Sequence, residues 1–170
     1  MAILKVLSVP DPRLKIKAQP IEKVDLPARR LMDDLLETMY ATEGVGLAAT
    51  QVGIHQRIIV VDGSETDKPA PLKLANPELL WISEESALMP EACLSIPGQY
   101  ADVQRFTRIK FRYLDEHNAM IEREASGLLA QVIQHEIDHL NGILFIDRLS
   151  SLKRDILLRK AIKMGKTGKT

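Results

Sequence analysis

The chain has 170 residues, 45% of them hydrophobic, which is enough for one substantial core and too little to divide comfortably into two. Its 23 basic and 23 acidic side chains cancel, which argues against a wholesale binder of DNA or another polyanion, and no apolar run approaches the ~18 residues of a membrane span. The single cysteine, Cys93, cannot form an internal disulfide, and the opening MAILKVLSVPDPR is broken by Lys5 and Pro10 before it could serve as a secretory signal, so a reducing, cytoplasmic setting is expected.

In chain order, residues 26–41 predict an amphipathic helix: Leu31, Met32, Leu35, Leu36, Met39 and Tyr40 recur at helical spacing behind Asp25 as cap, and Gly44 and Gly46 end it. Short β-type runs follow at 57–62 (RIIVVD), 72–77 (LKLANP), 78–83 (ELLWIS) and 108–115 (RIKFRYLD), the last pairing with 119–124 (AMIERE) across Glu116-His117-Asn118. Residues 127–141 are helical again, with Leu128, Leu129, Val132, Ile133, Ile137 and Leu140 as the apolar set and Gly142 as the stop. A third helix starts near Ser150. The pattern is that of one α+β domain spanning 1–170, in which mainly antiparallel strands pack around a central helix, with an N-terminal and a C-terminal helix.

That central helix carries His135-Glu136-Ile137-Asp138-His139, so two imidazoles one turn apart share a face and can grip one metal ion, with Glu136 beside the water that the metal activates. The bland alternative, two histidines on a solvated face, sits badly with a helix that is otherwise apolar. A catalytic site needs a third protein ligand. Residues 140–170 contain no Glu and no His, which excludes the downstream ligand of the common zinc proteases. Upstream stand Cys93, His55, His117 and several acids; His117 falls in a hairpin turn and His55 in a polar loop. Cys93, whose thiolate binds zinc or iron strongly and which Pro90 and Pro97 flank, is the preferred third ligand, although a lone cysteine is by default a small buried hydrophobe.

The stretch Gly44-Val45-Gly46-Leu47-Ala48-Ala49-Thr50-Gln51 fits a dinucleotide fingerprint in letters only, because a helix precedes it and a strand follows. Two readings stand at this stage: a helix stop with a tight turn, or backbone that approaches a ligand closely with Gln51 as a donor.

Three segments together, GVGLAATQ (44–51), EACLS (91–95) and QHEIDH (134–139), resemble the signature motifs of bacterial peptide deformylase, in the same order and at suitable spacing. The resemblance extends to the opening VLSVPDPRL and to NGILFIDRLS. It implies removal of the formyl group from N-formylmethionine on new polypeptides, with release of formate. It further implies metal ligation by Cys93, His135 and His139, acid/base work by Glu136, and oxyanion donors at the Gln51 amide and the Leu94 N–H. By the same resemblance the ion is ferrous iron first, with zinc, nickel or cobalt as alternatives. A pocket for the methionine side chain would use Val45, Met89, Leu128 and Val132 beside the Gly46 backbone, although each, taken singly, is equally well explained by core packing. The peptide backbone would pair with an open strand edge. Three departures from the family pattern stand out: Ala92 replaces a glycine, Pro90 precedes Glu91, and Tyr100 stands where many members have Arg. Ala92 excludes a comfortable positive φ, and Tyr100 removes a charge that could meet the substrate.

The rival readings are a peptidase or other amidase on the same metal site, and a binding module with a closed structural zinc site; Glu136 argues against the latter, since a structural site needs no base. Residues 151–170 carry Lys153, Arg154, Arg159, Lys160, Lys163, Lys166 and Lys169 against Asp155 alone. That basic helix and tail is either an ordinary helix docked through Leu152, Ile156, Leu157 and Ile162, or a contact to the ribosome.

Overall fold

A computed structural model describes residues 2–166. Helix α1, Leu26–Ala41, starts as expected, with the Asp25 carboxylate accepting from Ala28 N. It stops at Thr42, where Glu43 turns into positive φ (57°) and Gly44 N donates to Met39 O at 2.9 Å. Gly46 does not belong to that stop: it opens a short strand, β1 (Gly46–Ala48), which passes into a 3₁₀ turn over Ala49–Val52.

The main sheet is antiparallel throughout, in the order β1-β2-β3-β6-β7, with β2 at Ile58–Asp62, β3 at Pro71–Ile82, β6 at Arg108–Leu114 and β7 at Met120–Ser126. Its centre is covered on both faces, which is why IIVV in β2 reads as an unbroken apolar run instead of alternating. Ile59 and Val61, with Leu74 of β3, pack toward helix α2 (Gly127–Leu140), whereas Ile58, Val60 and Ala75 pack toward Met32, Leu35 and Met39 of α1. The runs 72–77 and 78–83 are one strand and not two. The strand survives Asn76-Pro77 because Asn76 takes φ 49° in a bulge, with its amide tied to Ile21 N and Ile21 O.

A second, two-stranded sheet, β4 (Ser86–Cys93) and β5 (Ile96–Phe106), was not expected at all. Pro90 and Pro97 read as punctuation in the sequence, but a two-stranded ribbon is all edge, and edges accept proline. The ribbon turns through Leu94 and Ser95, so Cys93 and Ile96 face each other at its tip. Helix α2 fixes the other half of the site. Its C-terminal carbonyl, Leu140 O, accepts from Ala18 N at 2.8 Å and Arg57 Nη1 at 3.1 Å, a cation where the helix dipole favours one.

Helix α3, Ser151–Lys166, docks on the ribbon and on the turn Phe145–Arg148 through Ala161 with Leu157, Leu158 and Ile162. The expected docking set is therefore corrected: Leu157 and Ile162 belong to it, but Leu152 is 68% exposed and Ile156 is also exposed. The apolar stripe is rotated so that Leu158 and Ala161 take their place. Lys169 and the tail from 167 lie outside the described residues.

Candidate metal centre

On α2 the one-turn spacing brings the two imidazoles together, with Nε2 of His135 and Nε2 of His139 3.3 Å apart. The tip of the ribbon supplies the third donor, Cys93 Sγ, 3.2 Å from His139 Nε2. All three donor atoms lie within 4.8 Å of one another. Bonds of about 2.0–2.3 Å from one ion to nitrogen and sulfur in a tetrahedron imply donor separations of this size. Burial holds His139 well below its usual range, so its imidazole is neutral, the form that ligates a cation. His55, bonded through Nε2 to Arg13 O, and His117, in its exposed turn beside Glu116, take no part.

Glu136 is buried at the same place, with Oε2 4.0 Å from His135 Nε2 and Oε1 without a hydrogen-bond partner among the described residues. A buried carboxylate oxygen without a partner costs free energy and calls for an explanation beyond packing. Burial pushes its pKa up to about 7. Gly46 explains how it fits: a Cβ there would lie 2.5 Å from Glu136 Oε2 and 2.8 Å from Val132 Cγ1. The close approach at Gly46 is therefore to the protein's own Glu136 and Val132 side chains.

Gln51 is fixed at both ends of its amide. Its Oε1 accepts from Ala48 N at 2.9 Å, which turns Nε2 toward Ser95 Oγ (3.0 Å) and Cys93 Sγ (3.6 Å).

Beneath the donors runs a charge network that the sequence did not reveal. His135 Nδ1 meets Glu91 Oε1 at 2.7 Å, which commits the other ring nitrogen to the donor cluster. Arg105 grips Glu91 with two nitrogens, at 2.6 and 2.7 Å, and reaches Asp138 Oδ2 with a third at 2.8 Å. Arg148 closes the network with two bonds to Asp138, at 2.6 and 2.7 Å. Burial alone would raise the pKa of Glu91, but the bonds from Arg105 and His135 overcome it and hold the carboxyl at about 2. The signal that could have found Arg105 is alternation on β5, where it is buried two places after the inward Val103.

Of the donors, Cys93 and His135 open onto a cavity of about 720 Å³. Val45, Gly46, Gln51, Leu94, Leu128 and Val132 line it, so the expected donor and pocket residues converge there, with one exception. Met89 stands on β4 opposite Val103, outside the lining. Ala92 and Pro90 lie in β4, and both line the cavity; Ala92 needs no positive φ in a strand, so its methyl is accommodated without strain.

With the geometry established, comparison with known proteins gives a consistent result. The profile of the polypeptide deformylase family matches residues 3–155. The peptide deformylase of Phenylobacterium zucineum is 50% identical over 167 residues, covering 98% of this chain and 99% of the relative. That of Alkalilimnicola ehrlichii is 53% identical over 169 residues, covering 99% and 94%. Among solved structures, the fold is similar to peptide deformylase from Ehrlichia chaffeensis, with a TM-score of 0.94 at 40% identity, covering 98% of this chain and 99% of that one. It also resembles the same organism's enzyme in complex with actinonin, with a TM-score of 0.92 at 42% identity, covering 96% and 98%.

Proposed function

The chain belongs to the polypeptide deformylase family, and from that premise we propose which of its residues remove the formyl group from N-formylmethionyl peptides, and how. The activity itself, hydrolysis of the formyl amide on nascent chains, is that of the family. The observation that carries the assignment of roles is the convergence of Cys93, His135 and His139 in one cluster, with Cys93, His135 and the buried carboxylate of Glu136 lining one cavity.

Cys93, His135 and His139 hold one divalent ion through Sγ and the two Nε2 atoms. We take it to be ferrous iron, with zinc, nickel or cobalt able to occupy the same sulfur and nitrogen donors. When bound, the ion supplies Lewis acidity, polarising the formyl carbonyl and lowering the pKa of water toward about 7. Glu136, pushed up to about 7 by burial, accepts the proton of the attacking water and then hands it to the leaving amine. The Gln51 amide, locked by Ala48 N, and the Leu94 N–H donate to the oxygen on which negative charge develops. Val45, Leu128 and Val132 receive the methionine side chain beside the Gly46 backbone, which has no room for a Cβ.

No described helix is long and apolar enough to cross a membrane. We place the enzyme in the cytoplasm, where nascent substrates are made and an unpaired cysteine ligand stays reduced. We also assign ribosome contact to α3, whose Lys153, Arg159, Lys160, Lys163 and Lys166 are exposed.

The test is formate release from formyl-Met peptides under anaerobic conditions, with metal content measured on the same sample. Formate in proportion to bound metal is expected. Cleavage of internal peptide bonds, or metal-loaded protein that releases no formate, would overturn the reading.

A further inference from the structure

A second cavity, of about 500 Å³, shares no lining residue with that of the metal centre. Ile109 and Phe111 of β6 pack toward α2, so the alternate residues Arg108 and Lys110 point out from the opposite face of the sheet. Helix α1 packs on that face at Leu114 but leaves Arg108 and Lys110 exposed. Trp81 of β3, 43% exposed, pairs with Lys110 and faces the same way. The Arg108 guanidinium carbon stands 5.7 Å from the centre of its ring, and Lys110 Nζ 6.0 Å. Simple shielding of an exposed aromatic would account for one cation, but not for the rest. Arg112, next on the face, is held by Glu78 and Glu122. The Arg108 guanidinium has no carboxylate; among the described residues its partner is the ring. Lys110 meets Glu124 at 3.4 Å with both side chains more than half exposed, a loose pair. A flat ring, two weakly committed cations and the Ser126 hydroxyl thus surround one open space.

We propose that this second cavity binds an unpaired nucleotide of a single-stranded nucleic acid, with the base stacked on Trp81 and the phosphates met by Arg108 and Lys110. Every base has a π-face to offer the indole, so the site reads no sequence. Neither cation gives up a strong bond when it swings from the ring to a phosphate. An acidic peptide would satisfy the two cations but leave the ring unused. The volume falls in the range of small-molecule sites and exceeds what a single carboxylate side chain needs. Glu124 opposes a polyanion, as do the exposed Glu84 and Glu85 on the turn beyond the ring, so the affinity is weak, about 10⁻⁴–10⁻⁵ M at physiological salt.

Trp81 is the only tryptophan of the chain, so its fluorescence reads the site directly. The metal-loaded enzyme is titrated with an oligoadenylate of about eight nucleotides, following Trp81 emission and the anisotropy of a labelled copy of the strand. Quenching that saturates together with the anisotropy is expected, and both should weaken with added salt. Trp81→Ala should weaken binding by about five- to hundredfold, and Trp81→Phe, which keeps a ring, should restore most of it. Arg108→Ala should weaken binding and lower the slope of log affinity against log salt by about 0.7. Turnover of a short formyl-Met peptide should be unchanged in all three variants, which checks their fold, since neither side chain lines the catalytic cavity. Anisotropy that rises without quenching, or binding undiminished by Trp81→Ala, would place the strand elsewhere, on α3 for instance, and overturn the proposal. Equal quenching by a poly-glutamate peptide would overturn it as well, leaving a docking surface for anions in general. Silence of both signals up to about 1 mM oligonucleotide would do the same.

Discussion

Glu136 and Gln51 are both buried beside the donor cluster, yet their substitution should fail in different ways. Glu136→Gln keeps size and polarity but cannot take a proton, so metal content and fold should persist while kcat falls by roughly 10²–10⁴. Formate release close to that of the unsubstituted enzyme, measured with metal occupancy, would sink the assigned role. Gln51→Leu should slow turnover by about 10²–10³. Because Gln51 Oε1 satisfies Ala48 N, the same change should also cost about 1–3 kcal/mol in denaturant unfolding. A change in KM alone would make Gln51 a binding residue. The donor residues were legible because helical spacing is local: His135 and His139 announce themselves within five letters, and Cys93 follows from the ligand still missing. Ser95, and the function of Glu91, were not, because a partnership between strand tip, glutamine and imidazole leaves no periodic trace.

The ribbon β4–β5 is held to α2 by several side chains, among them Gln134, which bonds Phe106 N and O, and Arg105, buried between Glu91 and Asp138. Arg105→Met would strip a cation from two buried carboxylates and should cost about 3–5 kcal/mol, read as a fall in denaturant midpoint. A change under 1 kcal/mol would show that His135 and Arg148 suffice without it. Glu91 adds a pH signature. Its folded pKa of about 2 lies below the ordinary 4.5, so its contribution is complete above about pH 4.5 and is lost as pH falls through about 2. Stability at fixed denaturant should decline across that window, and Glu91→Gln should flatten that part of the slope; an unchanged slope would deny the linkage. The helices and most of the main-sheet strands were readable because each buries an apolar pattern, but β1, three residues long, gives no periodic signal, and β3 reads as two runs. The ribbon was not readable: its two prolines suppress the strand signal, and its buried Arg105 has partners 14 residues back and 33 residues ahead.

Across the whole molecule, charge is balanced in sum and unbalanced in place, with α3 presenting a cationic surface opposite an anionic rest. Reversing Lys160 and Lys163 while removing residues 165–170 should leave turnover of short formyl peptides intact, weaken co-sedimentation with ribosomes, and reduce its steep salt dependence. Association that ignores both salt and the reversals would make α3 an ordinary anchored helix. Chelation should lower the unfolding temperature, since an ion that binds only the folded chain stabilises it by mass action; an identical melting curve would separate the ion from the fold. The donors come from position 93 and from 135 and 139, and the aspartate between the latter two is secured by Arg148. During its own synthesis the chain therefore offers no completed donor set until it has been made past His139. Copies cut short before His139 would lack a donor and compete poorly for scarce ions, so loading itself reports that synthesis has passed that point.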